Sequence, residues 1–526
     1  MIRIHAIRTF FISILILLSF IGTSQNITVS GEVSGIWDAD TVKVISDLEI
    51  PAGASLQIFP STVIECQGPF KFEVHGTVTA QGTTGEPIIF TIIDTVEMSN
   101  PDTPRGGWKG FQISELSASD SVTFEHCNFL FGKAWDIATD ACGGLFQISN
   151  SSRIQFRKCF FGHSVAEYMG GAFYIDGSDV AFEQCTFLEN RAGIDSVGYG
   201  GSLVSVGGKI MLNRCTAENN RANGLGGAMC IWFPEESSVT NCVFEGNTGS
   251  TGGGIFFLNS NNTIFYNNLF SNNTGSFFGG ALGLKNTSFP ILNCTFADNF
   301  GGQGGSIYCS SGVSNPVYNT VISKNNAYGN GQQVYIAYLE STLSFYHCAV
   351  ESGREGFGGS GGWYPGAYHG EYVNNIEEPV DFVPYGDFLY GIAPPSPSID
   401  SGYTDTISSI IPVTDIAGRP RIFNGIIDMG CLEYEDQSGI CESKKNKQTE
   451  IYPNPFHSTT TITFEELPEK TVLQIFNSGG KSVRTINNNY CKSVTWDGCD
   501  DSGNKLPSGL YFITNSEGLS GKVFKL

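Results

Sequence analysis

A cysteine-centred motif recurs through the middle of the chain and restricts the fold more than any other feature of the sequence. Its central position is held by nine residues: Cys127, Cys159, Cys185, Cys215, Cys242, Asn268, Cys294, Thr320 and Cys348. Neighbouring positions are 26 to 32 residues apart. A period of about 20–50 residues is typical of solenoids, propellers and repeat arrays. The chain is therefore expected to stack one structural unit many times.

Glycine pairs separate the motif positions. They are Gly143-Gly144, Gly170-Gly171, Gly200-Gly201, Gly226-Gly227, Gly252-Gly253, Gly279-Gly280 and Gly304-Gly305. Each pair opens a short apolar run, such as Gly171-Ala172-Phe173-Tyr174-Ile175. Because these runs have neither a 3.6-residue period nor leucine spacing, helical solenoids and leucine-rich horseshoes are excluded. Two or three short strands per turn predict an all-β fold, a right-handed parallel β-helix solenoid.

Equivalent residues of successive turns are expected to stack about 4.8 Å apart. The residues two and four positions after each pair's second glycine are predicted to point inward, for example Phe173 and Ile175. In the motif column, Asn can stack amides and Cys acts as a small hydrophobe. The chain has 15 cysteines, but parallel Cβ vectors on neighbouring turns oppose the disulfide torsion. We therefore predict buried free thiols.

Both ends of the chain differ from the repeats. Residues 1–24 read as a signal peptide, with a charged start, an apolar run too short to span a bilayer and a small-residue end. The remainder divides into an N-terminal cap with the first coils (26–120), repeat coils (121–350), an irregular insertion with a closing segment (351–435), a linker (436–450) and a C-terminal domain (451–526). The closing segment is expected to cap the solenoid. No later stretch is apolar for long enough to cross a membrane.

The C-terminal domain carries a resemblance to a known family. Its β-branched runs and Gly, Asn and Asp turns predict a small antiparallel, Ig-like β-sandwich. The family pattern falls on Tyr452, Pro453, Asn454, Pro455, Trp496, Asp497, Gly498, Gly509, Leu510, Tyr511, Lys522 and Lys525. In this order the residues resemble the C-terminal sorting domain of the type IX secretion system. The resemblance implies transport by that machinery across the outer membrane of a Gram-negative bacterium, followed by release or attachment to the outer surface.

Two features of this domain leave alternatives open. Cys491 and Cys499 depart from the family pattern and form either a local disulfide or two free thiols. Asp497, Asp500 and Asp501 form either a turn within the sorting motif or a structural calcium site built from oxygen ligands. We favour the turn, and we expect no other cofactor.

The repeats carry a second resemblance, which extends over residues 124–350. Phe187-Leu188-Glu189-Asn190 and its equivalents follow an F-x-x-N pattern, and runs such as Gly280-Ala281-Leu282 follow the glycine pairs. Together they resemble the repeats of polymorphic outer-membrane proteins, a family of bacterial surface adhesins. The resemblance implies a β-helix and an adhesin-like role.

Charge and motifs exclude several classes of function. The formal charge of −22 repels nucleic acid and anionic membranes. Neither HExxH nor Cys-x-x-Cys is present, so a zinc site has no support. Gly358-Gly359-Ser360-Gly361-Gly362 fits the nucleophile-elbow pattern literally, but without the strand and helix that the elbow requires. We assign no catalytic residue and expect a monomer.

One outward position suggests a binding site. Three residues after each pair, the column reads Gln147, Tyr174, Val204, Cys230, Phe256, Gly283 and Tyr308. Tyr174, Phe256 and Tyr308 are candidates for stacking on sugar rings; the alternative is packing beneath a loop. The main hypothesis is a non-catalytic module that binds glycan or a cell surface.

The alternative function is a polysaccharide lyase or glycoside hydrolase. Its nearest charged cluster is Arg191 and Arg221 with Glu189 and Glu218, which we expect to form ion pairs instead.

Overall fold

The structure, a computed structural model, describes residues 26–95, 100, 106–135, 141–194, 196–404, 411–422, 425–435, 449–464, 471–477, 481–488, 493–515 and 520–525. The predicted signal peptide, residues 436–448 of the predicted linker and Cys491 lie outside these ranges. The chain divides into two compact units, Met1–Tyr434 and Glu435–Leu526.

The first unit is a solenoid in which the strands of successive turns pair in parallel. Each repeat turn passes through four short strands, and we name the four columns of strands a, b, c and d in chain order. Two N-terminal strands, Asn26–Glu32 and Thr41–Ile50, are longer than the others in this unit and extend through both column c and column a. The predicted all-β fold is confirmed, and the described residues contain no α-helix.

Column a contains Phe72–Val74, Phe111–Ser114, Phe146–Ser149, Phe173–Asp176, Leu203–Val206, Met229–Trp232, Ile255–Leu258, Leu282–Lys285, Ile307–Cys309, Val334–Ile336 and Phe357–Gly358. Column b contains Gly35–Trp37, Ser55–Ile58, Thr77–Gln81, Val122–Glu125, Ile154–Arg157, Asp179–Glu183, Lys209–Asn213, Glu236–Thr240, Thr263–Tyr266, Ile291–Leu292, Ser314–Tyr318, Thr342–Tyr346 and Tyr372–Val373. Column c contains Val63–Cys66, Ile88–Ile92, Cys127–Leu130, Phe160–Gly162, Thr186–Leu188, Thr216–Glu218, Val243–Glu245, Leu269–Ser271, Thr295–Ala297, Val321–Ser323 and Ala349–Val350.

Column d contains Lys133–Ala134, Val165–Ala166, Arg191–Ala192, Arg221–Ala222, Thr248–Thr251, Thr274–Phe278, Phe300–Gln303 and Asn326–Ala327. The sequence predicted two or three strands per turn, and this fourth strand is the difference. Five of these eight strands, including the first four, are only two residues long and therefore too short to produce an alternating pattern in the sequence.

Alternation along the strands builds the core. The predicted inward residues Phe146, Ile148, Phe173, Ile175, Met229, Ile231, Ile255 and Phe257 are all buried. Phenylalanine rings stack from turn to turn, as between Phe146 and Phe173, whose centroids are 4.7 Å apart and whose planes differ by 5°. Burial of each side chain of this size contributes about 1.5–3 kcal/mol to the free energy of unfolding. The stacked rings therefore hold successive turns in register.

The motif cysteines lie at the start of column c and point inward. Every motif cysteine is buried and is a free thiol in the structure. Thiols donate back to the preceding turn; the Cys185 Sγ, for example, lies 3.4 Å from the Phe156 oxygen. Burial raises the pKa of the thiols of Cys159, Cys185 and Cys215 well above the ordinary value. The column is therefore a packed, unreactive part of the core.

The F-x-x-N asparagines form a separate ladder at the corner between columns c and d. Its members are Asn190, Asn220, Asn247, Asn273, Asn299 and Asn325, all of them buried. Each amide nitrogen donates to the amide oxygen of the next turn over 2.9–3.0 Å. The same oxygen also accepts the main-chain N–H of the equivalent asparagine one turn earlier; the Asn247 Oδ1, for example, accepts the Asn220 N–H. Because these polar groups are buried, each unmade bond would cost about 1–3 kcal/mol.

Residues in the left-handed backbone conformation turn the chain between columns b and c, immediately before the motif position. They are His126, Lys158, Gln184, Arg214, Asn241, Asn267, Asn293, Asn319 and His347, with φ of 47–55°. None of these nine residues is a glycine. Asparagine, the most frequent of them, tolerates this conformation better than most side chains. The glycine pairs supply a second corner: Gly170, for example, has φ of 61°.

The predicted closing segment does not cap the end of the solenoid. The described parts of residues 380–434, including the hairpin Val383–Tyr385 and Phe388–Gly391, pack along the outside of column c. There Ile416 and Leu432 cover Leu269 and Ala297. The Cys431 N–H donates to the Thr295 Oγ1 over 3.0 Å. The outward side of column c is apolar in these turns, so it requires a cover along its length. The last turn is instead completed by a short 3-10 helix, Gly353–Gly356, and by Phe357–Gly358 and Tyr372–Val373.

The second unit contains two antiparallel sheets. One pairs Thr449–Tyr452, Thr460–Phe464 and Ser493–Trp496; the other pairs Thr471–Asn477, Ser482–Asn488, Gly509–Asn515 and Ser520–Lys525. Its core contains Phe456, Ile462, Leu473, Ile475, Trp496, Tyr511, Ile513 and Val523. The predicted small Ig-like sandwich is confirmed.

Candidate functional site

The outward-facing side chains of column a divide into a buried group and a partly exposed group. Val204, Cys230 and Phe256 are buried in a cluster with half-buried neighbours that include Tyr174 and Trp232. Phe256 is 3% exposed. The next residue in its column is Gly283, whose missing side chain leaves the space in which the Phe256 ring lies. The expectation that Phe256 offers a stacking face is therefore wrong, and packing explains this position.

Tyr174 and Tyr308 keep part of their surface exposed. Tyr308 continues into Tyr335 on the next turn, with the rings stacked at a centroid distance of 6.1 Å and an angle of 19°. Phe278 lies 4.6 Å from Tyr308 and 6.1 Å from Tyr335. Sequence reasoning missed Tyr335 because the glycine-pair pattern ends at Gly304-Gly305. The three rings form an aromatic surface, which we call the column-a platform.

A second group of aromatic residues lies around the corner, on column d. Phe277 is 66% exposed, Phe300 is 42% exposed and Tyr328 is 92% exposed. Column d has inward glycine or alanine at Gly275, Gly301 and Ala327, which leaves its large residues on the outside. No repeating pattern marks these positions in the sequence, because the strands of column d are too short to alternate.

A charged groove lies at the corner between columns c and d, several turns nearer the N-terminus. It encloses about 390 Å³ and is lined by Phe131, His163, Val165, Glu189, Asn190, Arg191, Asn219 and Arg221. The His163 Nδ1 is 3.2 Å from the Glu189 Oε2. The Phe131 and His163 rings stack at 5.7 Å. Arg191 and Arg221 are register partners on successive turns.

Glu189 contacts His163 in the structure, whereas we expected it to pair with the arginines. The reason is the register: His163 lies directly before Glu189 in one column, whereas the arginines follow the corner at Asn190. The hydrogen bond from His163 lowers the pKa of Glu189. Burial and the charges of Glu245 and Glu189 raise the pKa of Glu218, which lies outside the groove lining. The groove offers one carboxylate, an aromatic face and guanidinium donors, a set suited to binding polar groups.

The sorting-motif residues lie together in the second unit. Trp496 is buried between Phe456 and Tyr511, and its Nε1 donates to the Cys499 oxygen over 3.0 Å. The Tyr511 hydroxyl donates to the Pro507 oxygen over 2.8 Å. Gly498 has φ of 66°, and a side chain there would overlap Lys525. These residues therefore serve the packing of the sandwich.

Other motif residues join the ends of the unit. The Asn454 Oδ1 accepts the Phe524 N–H over 2.8 Å, and the Asn454 Nδ2 donates to the Lys522 oxygen over 3.1 Å. The Thr460 hydroxyl donates to the Pro453 oxygen over 2.7 Å. Tyr452 and Lys522 are exposed. Pro455, Asp497, Gly509 and Leu510 complete the set and lie in the described part of the unit.

The aspartates Asp497, Asp500 and Asp501 accept main-chain hydrogen bonds. The Asp497 Oδ1 accepts the Cys499 N–H over 3.1 Å, and the Asp501 Oδ1 accepts the Thr485 N–H over 2.9 Å. Hydrogen bonds from Asn504 lower the pKa of Asp500. Asp497 and Asp500 thus accept main-chain hydrogen bonds within their own loop, whereas Asp501 accepts one from the strand Ser482–Asn488. Among the described residues, no three His, Cys, Asp or Glu side chains are grouped to hold a metal ion.

Comparison with known proteins matches parts of each unit. Residues 194–357 match the family described as right handed beta helix region, and residues 454–518 match the FlgD Ig-like domain family. The first match confirms the predicted right-handed β-helix. No curated protein matches the chain. Within the described ranges, no helix is long and apolar enough to cross a membrane.

One similar solved structure is that of PorZ, described as an essential bacterial surface component of the type-IX secretion system of human oral-microbiomic Porphyromonas gingivalis. It is 18% identical over 16% of this chain and 12% of that chain, with a TM-score of 0.14. So limited a likeness carries no argument about this chain's function.

Proposed function

We propose that the chain is an exported, cell-surface or secreted solenoid that binds an extracellular polysaccharide in an adhesin-like role. The observation that carries the proposal is the column-a platform, in which Tyr308, Tyr335 and Phe278 present partly exposed rings on successive turns. Aromatic side chains give a large apolar contact at small entropic cost, and sugar rings have apolar faces that stack on them. An elongated row of such rings suits a polymer. Tyr174 is a second contact in the same column.

The test is retention of the purified protein on a polysaccharide panel. Replacing Tyr308 and Tyr335 together by alanine is expected to weaken retention about 10-fold, since each aromatic contact contributes about 0.5–1.5 kcal/mol. Phe233→Ala is the matched control, because Phe233 is 53% exposed at another corner of the solenoid. Full retention by the double variant would overturn the proposal.

The C-terminal unit is proposed to direct secretion by the type IX machinery. Support comes from the motif residues, which follow the order of the sorting-domain family, together with the exposed Lys522 near the chain end. In a Gram-negative host with this machinery, a chain lacking residues 451–526 should accumulate in the periplasm. Cell fractionation measures the distribution, and unchanged export would contradict the assignment.

A lyase or hydrolase activity is supported less well. Hydrolysis by the common two-carboxylate mechanism needs a second acid beside the first. The groove lining contains Glu189 alone, while Glu218 lies on the neighbouring column c. Measuring product release in the same panel tests this alternative.

A further inference from the structure

We propose that Phe277 and Tyr328 form a slot on column d that takes one sugar ring of a neutral glycan chain. The inference rests on the proposed polysaccharide binding and adds a second contact site, of stated ligand class, to the column-a platform.

The slot follows from the register of three successive turns. On one side of Gly302, a Cβ atom would lie 2.5 Å from the Phe277 carbonyl oxygen, which places the Phe277 main chain next to this glycine. On the other side, its oxygen accepts the Gly329 N–H over 2.8 Å, next to Tyr328. A glycine therefore separates two turns that each carry an exposed aromatic side chain.

The spacing suits a ring held between two others. Two turns of a parallel β-helix correspond to about 9.6 Å. A ring in van der Waals contact on both faces needs about 7–8 Å between its neighbours. A side chain at Gly302 would overlap the Phe277 main chain, so this position places no side chain between the two rings. The gap therefore fits one ring with a small adjustment of the aromatic side chains.

The surroundings favour a neutral sugar over other occupants. The net charge of −22 opposes a polyanion. The partly exposed Gln303 side chain lies beside Gly329, so its amide is a neutral hydrogen-bonding group near the slot. The exposed Asn326 adds a further amide beside Phe300.

The exposure of the two rings has no structural explanation within the solenoid. Tyr328 and Phe277 cover no core residue in the hydrophobic clusters of the described chain. Grouped exposed aromatic residues in a soluble protein typically mark a binding surface. The column-d aromatics lie around the corner from the column-a platform, with Phe277 adjacent in sequence to the platform residue Phe278. One glycan chain can therefore contact both.

Affinity electrophoresis of the full chain in soluble mixed-linkage β-glucan, with pull-down on cellulose and chitin, tests the slot. A Phe277→Ala, Tyr328→Ala variant is expected to bind about 10-fold more weakly. Phe277→Tyr, Tyr328→Phe should bind as the unaltered protein does, because both rings remain. Phe233→Ala is the exposed-aromatic control, and circular dichroism verifies folding of each variant.

The outcomes separate the two proposals. Loss in the alanine pair with retention in the aromatic pair supports the slot. Unchanged binding of the alanine pair, with loss in Tyr308→Ala, Tyr335→Ala, overturns the slot and leaves the polysaccharide function standing. Failure of the unaltered protein to bind any of these neutral glycans overturns the slot's ligand class, and retention on an acidic polysaccharide would then show that the broader function survives.

Discussion

At the scale of single residues, the solenoid depends on polar groups that are buried and fully paired. Asn247 illustrates this: its amide nitrogen donates to the Asn273 Oδ1 and to the Ala217 oxygen, and its oxygen accepts from Asn220. The sequence predicted that Asn recurs in each turn. It did not predict that these residues bond to one another, because the corner between columns c and d was not recognised.

Replacing Asn247 by alanine should lower the free energy of unfolding by about 2–5 kcal/mol, because several buried groups lose their partners together. Asn326→Ala, at an exposed position of column d, should change it by less than about 0.5 kcal/mol. Urea unfolding followed by circular dichroism measures both. Equal effects of the two substitutions would contradict the role of the ladder.

The buried thiols give a second residue-scale prediction. Burial raises the pKa of Cys348 to about 12 and that of Cys431 to about 11. Since the thiolate is the reactive form, these cysteines should react slowly with a thiol reagent at pH 8 in the native protein. In denaturant without reductant they should react fully. The prediction would be refuted if the native and the unfolded protein had the same number of reactive thiols, or if almost no thiols reacted after unfolding.

At the scale of elements, the motif position and the glycine pair predicted the register of columns a and c. Phe173 and Ile175 are buried as expected, and so is Cys185. Two elements escaped prediction for physical reasons. The strands of column d are short enough to lack periodicity, and the closing segment packs through long-range contacts such as Asn267 to Thr414, which local patterns do not encode.

The same limit applies to the residues of the proposed binding surface. Tyr308 was predicted from its column and is partly exposed, whereas Phe256 occupies an equivalent position and is buried. The difference depends on the next turn, where Gly283 follows Phe256 and Tyr335 follows Tyr308. Exposure of an outward residue is therefore set by its neighbour along the axis, not by its own turn.

The closing segment should respond to pH through Glu433. Burial raises the pKa of Glu433 from 4.5 to about 8, although Arg421 lies 3.3 Å away. The folded-state pKa is higher than the unfolded one, so this contribution to stability is complete below pH 4.5 and is lost as the pH rises through 8.

Glu433→Gln, which mimics the protonated group, should therefore melt higher than the unaltered protein at pH 9, with a smaller difference near pH 5. Differential scanning calorimetry from pH 5 to pH 9 measures the difference in melting temperature between the two proteins. The exposed Glu378→Gln serves as control. A constant gap at all pH values would show that Glu433 does not titrate in the folded protein.

At the scale of the whole molecule, net charge limits the class of ligand. A chain of net charge −22 gains no long-range attraction to anionic polymers. Its proposed contacts are rings on adjacent faces of the solenoid. Recognition by such contacts depends on apolar area and hydrogen bonds, both of which salt screens only weakly.

Retention on a neutral polysaccharide should therefore change less than about 2-fold between about 50 mM and 500 mM NaCl. Isothermal titration or affinity electrophoresis at the two salt concentrations measures this. A decline of 10-fold or more, typical of counterion release, would point to an ionic ligand and against stacking.

The asparagine ladder also has a direction. Its first oxygen accepts the Ser164 N–H over 3.1 Å, and its last nitrogen donates to the Gln333 Oε1 over 2.9 Å. The aligned amides thus leave an acceptor at one terminus and a donor at the other. If a turn within the ladder were duplicated, its asparagine could bond to the asparagines of the turns on both sides. A turn added beyond either end of the ladder would instead need a new partner in place of the Ser164 N–H or the Gln333 Oε1. Lengthening by internal duplication is therefore the route that preserves every bond.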